Sequence, residues 1–405
     1  MRRRELLKIA GASGAALAFP GLQRGIAARP LPALADGVQG IEPLPLSVFQ
    51  RRLARARDLM SESGLAALLA EPCTSFSYLT DASFGRSERL IALVLPAQGE
   101  PLIVAPNFEV ERVAQAVESV SEIWGWEEHE SPYQLVADTV RPLGPGRIGI
   151  EPSTRYGVVR HLAELLPGWQ LVDADPLFTR LRIIKSEDEI TLIRRAVSIT
   201  ETSIAATFAS LQLGVTDREV ATYLREEMRQ RGVSGGGLVQ FGPTSALPHG
   251  GTENRPLQRG MPVLIDAGCR VHGYTSDITR MHFFGDEPSP QFREVFNTVF
   301  AAQTAAYEAA RPGMECQQLD RIARRVIGEA GYGRYFTHRL GHGMGMDGHE
   351  PPYLVEGNTQ VLEYGMVFTI EPGIYLPSQW GVRIEDDFVV REDGLEPLSS
   401  RVAQI

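Results

Sequence analysis

The apolar residues Phe49, Leu53, Ala56 and Met60 recur at i, i+4, i+7 and i+11, one face of an α-helix, and Ser47 ahead of them is suited to cap the first turn. The period then changes. Leu65 to Ala70 is a short continuous apolar run of the kind a buried strand shows, and Ile91 to Val104 reads as two strands joined by a glycine-containing turn. Helical and strand-like segments alternate from about Pro45 to Asp175, which predicts an α/β domain with no catalytic constellation of its own.

A second texture begins at residue 186. Ser186 and Glu189 form a capping box, opening a helix that carries Ile190, Ile193, Val197, Ile204 and Phe208 on one face; Thr216 and Glu219 open the next helix in the same way. After residue 235 the pattern turns to short strands and glycine-rich turns. A chain of 405 residues exceeds what one core usually supports. The expected organisation is two domains, residues 45–175 and 186–405, in the α/β (α+β) class, with no internal repeat.

Composition is that of an ordinary soluble globular protein, and a formal charge of −10 with no basic patch after residue 30 argues against nucleic acid as a partner. The N-terminus reads Met-Arg-Arg-Arg-Glu-Leu-Leu-Lys, then an apolar run from Ile9 to Gly21, then Ala33-Leu34-Ala35 as an A-x-A cleavage site. This order resembles a twin-arginine export signal over residues 1–35 and implies a periplasmic mature protein. The run has 13 residues, short of the roughly 20 a membrane-spanning helix needs. Residues 1–35 hold six Arg or Lys and one Glu, so a chain without them moves from −10 to −15. Cys73, Cys269 and Cys316 are too few for a disulfide framework and read as small buried apolar residues.

The candidate chemistry lies in the second region. Asp266 and Asp277 fall in two strand-like runs six residues apart, and if the runs pair as neighbours the two carboxylates approach one another. Glu371 and Glu385 repeat the arrangement near the C-terminus, in apolar β-rich runs where a lone carboxylate would suffer a desolvation penalty. Four carboxylates carry the charge that two divalent cations neutralise, and the imidazole of His342 would complete an oxygen and nitrogen donor set suited to manganese, cobalt, iron or zinc. Three of the eight histidines, His338, His342 and His349, stand within one short stretch, where Gly341, Gly343 and Gly345 would give the backbone freedom to bring substrate or metal close. No H-E-x-x-H, cysteine-based zinc spacing, G-x-G-x-x-G or G-x-S-x-G pattern is present.

The ordered set Asp266, Asp277, His342, Glu371, Glu385, in the contexts LIDAGC, SDITR, HRLGHGMGMDGHEPP, TIEPGIY and VRIEDD, resembles the metallopeptidase superfamily of methionine aminopeptidase, prolidase and aminopeptidase P. Residues 45–175, with Phe76-Ser-Tyr-Leu-Thr80 and Glu88-Arg-Leu90, are similar to the N-terminal domain of prolidase, aminopeptidase P and creatinase, which methionine aminopeptidases lack. The resemblance implies a pita-bread catalytic domain and an Xaa-Pro peptidase acting on peptides with proline at the second position. It further implies that Asp266 chelates one metal, Asp277 and Glu385 bridge both, and His342 with Glu371 complete the other, most commonly with manganese. Hydrolysis by a hydroxide between the metals follows, with Glu371 as general base. His249, His338 and His349 would line the proline pocket, His349 would hydrogen-bond the carbonyl oxygen, and Arg383 would orient a ligand. A homo-oligomer, dimer or tetramer, is expected on the same likeness. Two alternatives stay open: a metal-dependent hydrolase or lyase of a small nonpeptide such as an osmolyte, and a non-catalytic binding module.

Overall fold

The computed structural model describes residues 37–401 apart from residue 252. The export-signal reading of residues 1–35 therefore falls outside the described residues. Among those that are described, no helix is long and apolar enough to cross a membrane.

The N-terminal region folds around a six-stranded mixed sheet, ordered Glu122–Trp126, Leu102–Pro106, Ala92–Pro96, Ala67–Ala70, Arg147–Ile150 and Gln170–Asp173. The two strands expected within residues 91–104 pair antiparallel, with Ala92 opposite Val104. The first helix, Leu46–Ser63, begins two residues earlier than its pattern suggests: Pro45 occupies the N-cap in extended backbone, and Ser47 is already helical, accepting a hydrogen bond from Arg51. Cys269 and Cys316 are buried as expected, but Cys73 is half-buried; its Sγ caps the helix Thr74–Thr80 by accepting from the amide of Phe76. A small hydrogen-bonding side chain is what that N-cap requires, and the cysteine sulfur supplies it weakly.

The C-terminal region is built twice over. In its first half the long strand Met261–Val271 lies between Ser234–Phe241 and Ile278–Phe284, backed by helices Glu187–Ala209 and Asp217–Gln230. In the second half Val367–Ile370 pairs with Gly341–Gly343 on one side and Asp386–Arg391 on the other, backed by helices Pro290–Ala309 and Cys316–Glu329. Each half buries its own apolar cluster. The two sheets meet where the amide of Glu385 bonds to the carbonyl of Thr279.

Both expected capping boxes form, at Ser186 with Glu189 and at Thr216 with Glu219. Ile190, Ile193, Val197 and Ile204 are buried along the helix that the first box opens, with Phe208 partly so. Glu189 does more than cap. One carboxylate oxygen accepts from the amide of Ser186 at 2.8 Å, while the other takes Arg52 of the first helix at 3.1 Å and the hydroxyl of Tyr274 at 2.7 Å. The two domains are thus joined through a buried ionic contact at the helix start.

Candidate functional site

Only Asp266 of the four carboxylates lies inside a strand. Asp277 falls between Tyr274–Thr275 and Ile278–Phe284, Glu371 between Val367–Ile370 and Gly373–Leu376, and Glu385 between Trp380–Arg383 and Asp386–Arg391. Thr279, not Asp277, pairs directly with Asp266. Where the ladder is interrupted the backbone finds other partners: the amide of Glu371 bonds to the Leu340 carbonyl at 2.8 Å, and that of Asp277 to Asp387 Oδ2 at 3.1 Å. These breaks turn the side chains into a shared cavity without orphaning peptide groups.

That cavity, of about 470 Å³, is lined by Asp266, Asp277, His342, Glu371 and Glu385 together with His249, His338, His349, Arg339 and Arg383. All nine residues singled out from the sequence converge there. Ligand atoms of Asp266, Asp277 and Glu385 lie within 4.8 Å of one another, as do those of His342, Glu371 and Glu385, and a third such group joins Asp277, His342 and His349. Asp277, His342 and Glu385 each belong to two groups.

The electrostatics favour a cation. Burial first, and then Glu385, push the pKa values of Asp277 and Glu371 well above the carboxylate range; burial and the Asp266 charge push Glu385 up to about 8. Burial, helped by the neighbouring His349, pushes His342 down to about 3 and keeps it neutral. Its Nδ1 lies 3.1 Å from the carbonyl of Gly343, which can only accept, so Nδ1 carries the proton and Nε2 presents a bare lone pair. That lone pair faces Glu371 Oε1 at 3.3 Å and Asp277 Oδ2 at 3.8 Å. A lone pair directed at carboxylate oxygens is repulsive unless a proton or a positive ion stands among them; the raised carboxyl pKa values mark the same place as one that gains from positive charge, and the mixed oxygen and nitrogen donor set fits divalent metal.

The glycines around His342 act differently from the expectation of conformational freedom. None of Gly341, Gly343 and Gly345 has a positive φ. A Cβ on Gly341 would lie 2.0 Å from the Thr369 carbonyl oxygen, and one on Gly343 would lie 2.2 Å from that of Pro351. Gly341 and Gly343 are glycines because the neighbouring strands press against the backbone on either side of His342, whereas Gly345 faces side chains, with Glu350 Oε1 2.8 Å from where its Cβ would stand.

Around the cluster the hydrogen bonds are specific. Arg383, 3% exposed, reaches Asp266 Oδ2 at 2.6 Å, Tyr375 Oη at 2.9 Å, Thr279 Oγ1 at 3.1 Å and the Pro248 carbonyl at 3.2 Å. Burial works against its charge, but Tyr375 and the carboxylates of Asp266, Glu385 and Glu371 outweigh it and hold the guanidinium above its ordinary value. His338 donates Nδ1–H to the Arg339 carbonyl at 2.8 Å and so accepts the Tyr375 hydroxyl at Nε2, also at 2.8 Å; burial lowers it to about 4. His349 is exposed, with its ring centre 3.8 Å from that of His342. Arg339 Nη2 approaches His349 Nδ1 at 3.2 Å, and because a guanidinium only donates, the neutral His349 carries its proton on Nε2. His249 is exposed at the rim beside Pro248.

Sequence reasoning missed three contributors. Tyr375 joins Arg383 to His338, Thr279 donates to Glu385 Oε2 at 2.6 Å, and Arg339 sets the His349 tautomer. The signal for Tyr375 was present, since a tyrosine in an otherwise apolar run needs a partner for its hydroxyl.

The fold and this donor set define a two-domain pita-bread metallopeptidase. Residues 191–392 match the model of metallopeptidase family M24, and residues 52–184 match that of the creatinase/prolidase N-terminal domain. An uncharacterized peptidase of Staphylococcus aureus (strain MW2) is 39% identical over 348 residues, 84% of this chain and 96% of the relative. Among solved structures, dipeptidase PepE from Mycobacterium ulcerans superposes with a TM-score of 0.84 at 37% identity, covering 90% of this chain and 99% of that one. The Xaa-Pro dipeptidase from Bacillus anthracis does so with 0.79 at 30% identity, covering 88% and 99%. The chain belongs to metallopeptidase family M24.

Proposed function

We propose that the protein is a dimetal exopeptidase that hydrolyses the bond preceding proline, in dipeptides or at the N-terminus of short peptides, with manganese as its working metal. The observation that carries this reading is the bare Nε2 of His342 directed at Glu371 and Asp277, beside carboxylate groups that share Glu385, in one cavity with three further histidines. Two divalent cations, held by Asp266, Asp277, His342, Glu371 and Glu385, would supply the lowered water pKa and the carbonyl polarisation that the reaction needs.

The chain's own groups then have distinct tasks. Glu371, whose side chain is 14% exposed to the cavity, receives the proton of the attacking water and returns it to the leaving nitrogen. That nitrogen is tertiary in a prolyl amide and must be protonated to depart. His349 offers Nε2–H to the carbonyl oxygen as its charge develops. His338, fixed between the Arg339 carbonyl and Tyr375, forms a rigid wall against which a proline ring can rest, with His249 across the rim. Arg339 has no carboxylate partner among the described residues; it packs on the Tyr353 ring at 4.5 Å and leaves a cation at the cavity for the carboxylate end of a short peptide.

The test is hydrolysis of Xaa-Pro dipeptides, Xaa-Pro-Yaa peptides and matched Xaa-Ala controls by protein stripped of metal and reloaded with manganese. Metal-dependent cleavage confined to the bond before proline is the expected result. A metal-loaded protein that cleaves none of them would overturn the reading in favour of a small nonpeptide substrate.

A further inference from the structure

His349 stands on the loop between Gly345 and Glu350, and that loop is held from outside its own domain. At one end the Gly345 carbonyl accepts from the amide of Thr275, a contact within the catalytic domain. The residues on either side of the Gly348-His349 pair are held differently. Asp347 accepts from the Thr74 hydroxyl at 2.5 Å through Oδ1 and pairs with Arg182 at 2.5 Å through Oδ2. Glu350 pairs with the same Arg182 and with Lys185 at 2.8 Å. Thr74 opens a helix of the N-terminal domain, Arg182 ends the last helix of that domain, and Lys185 lies in the connection to the catalytic domain. Gly348 has nothing within 4 Å of where a Cβ would stand, so between Asp347 and Glu350 the contacts are those of the imidazole itself, with His342 and Arg339.

The charges balance, two cations against two carboxylates, and three of the four are nearly removed from water: the side chains of Lys185, Glu350 and Arg182 are 1%, 6% and 12% exposed. Buried ion pairs contribute little net stability compared with apolar packing of the same volume; what they fix is geometry, because each charge tolerates few arrangements. Here the geometry that is fixed is the loop beneath His349.

We propose that Arg182, Lys185 and Thr74 are positioning residues for His349, so that the N-terminal domain sets the placement of a cavity imidazole from behind. The proposal rests on the functional reading above in one respect, that His349 acts on substrate. Arg182 itself does not line the His342 cavity; it lines a neighbouring one of about 210 Å³ whose wall includes Asp347, His349 and Glu350. Its influence therefore passes through the loop.

A double-mutant cycle on the full, metal-loaded chain tests this, with Arg182→Met, His349→Ala and the two together, and with kcat and KM read separately on an Xaa-Pro dipeptide. Arg182→Met should lower kcat about 10- to 100-fold while KM moves less than about threefold, and in the His349→Ala background it should cost less than about threefold. Arg182→Lys should recover part of the loss. An equal cost in both backgrounds, or no cost in the parent, would overturn the proposal. Should Arg182→Met not fold, Thr74→Val removes a single hydrogen bond to Asp347 and carries the same cycle.

A second measurement needs no turnover: the ring resonance of His349 in zinc-loaded protein carrying carbon-13 labelled histidine. Arg182→Met should shift or broaden it and leave His249, on a separate loop, unchanged. An unmoved His349 resonance sinks the proposal even if peptide hydrolysis is established. A shifted resonance in a protein that cleaves no Xaa-Pro peptide would sink the functional reading and keep the positioning role.

Discussion

Raising the pH of the cation-free protein should destabilise it, and returning divalent cations should abolish that dependence. Glu385 is 2% exposed, and burial together with the Asp266 charge moves its pKa from 4.5 to about 8. A group whose pKa is higher folded than unfolded contributes stability that is complete below the unfolded value and is lost as pH rises through the folded one. The window for Glu385 therefore runs from about pH 4.5 to 8, and Asp277 and Glu371, also pushed up, act in the same direction. The rise for Glu385 corresponds to at most about 5 kcal/mol at roughly 1.4 kcal/mol for each tenfold change in proton affinity. Against a typical total of about 5–15 kcal/mol this is a large share, and with an unfolding entropy of roughly 2.1 cal/mol/K per residue over a 405-residue chain that melts as one unit it translates to a fall in Tm of at most about 6 °C. Thermal melts of chelator-treated protein between pH 5 and 8.5, repeated after manganese is restored, measure it. Parallel melting curves for the two forms across that window would refute the account of the carboxylates as a cation site under strain from its own charge.

Glu371→Gln should lower kcat by roughly 10²–10⁴-fold while retaining more metal, by elemental analysis, than His342→Ala; near-normal turnover would reject the general-base role. His249→Ala should reduce kcat/KM for Xaa-Pro substrates about 10- to 100-fold with metal content unchanged, and loss of metal would instead place His249 among the ligands. Arg339→Met should raise KM for Xaa-Pro dipeptides about 10- to 100-fold, the worth of a charge-assisted contact, and leave the corresponding Xaa-Pro amides nearly unaffected; equal losses on acid and amide would reduce Arg339 to its contact with His349. Gly341→Ala, whose new Cβ would lie 2.0 Å from the Thr369 carbonyl oxygen, should destabilise the protein by about 1–3 kcal/mol in urea unfolding, and an unshifted midpoint would show that the two strands can part.

What the chain disclosed before folding was mostly periodic or local. The capping boxes at Ser186 and Thr216, the antiparallel pair within residues 91–104 and the helix bearing Phe49 and Met60 all follow from spacing and short-range hydrogen bonding. The carboxylates stood out because Asp and Glu are costly in apolar β-rich runs, and all four do face one cavity. That Asp277, Glu371 and Glu385 stand in strand breaks was not legible, because a break depends on which distant segment supplies the next partner: Asp387 for Asp277, Leu340 for Glu371, Thr279 for Glu385. The glycines near His342 showed the limit most clearly. Glycine's freedom is a property of the residue alone, whereas its reason here is the approach of Thr369 and Pro351 from other strands. Arg182 and Lys185 were silent for the same reason, since their carboxylate partners lie more than 160 positions away along the chain.

Glu189 carries a final consequence. With one oxygen committed to starting the helix Glu187–Ala209 and the other to Arg52 and Tyr274, nucleation of the catalytic domain and seating of its neighbour are completed by the same carboxylate. A fragment beginning at residue 186 would keep this buried acid and lose its counter-charge, together with the Arg182 and Lys185 partners of Glu350. The halves of the polypeptide are therefore not interchangeable modules on a hinge, and heating should melt them in one cooperative transition, with no stage at which either survives the other.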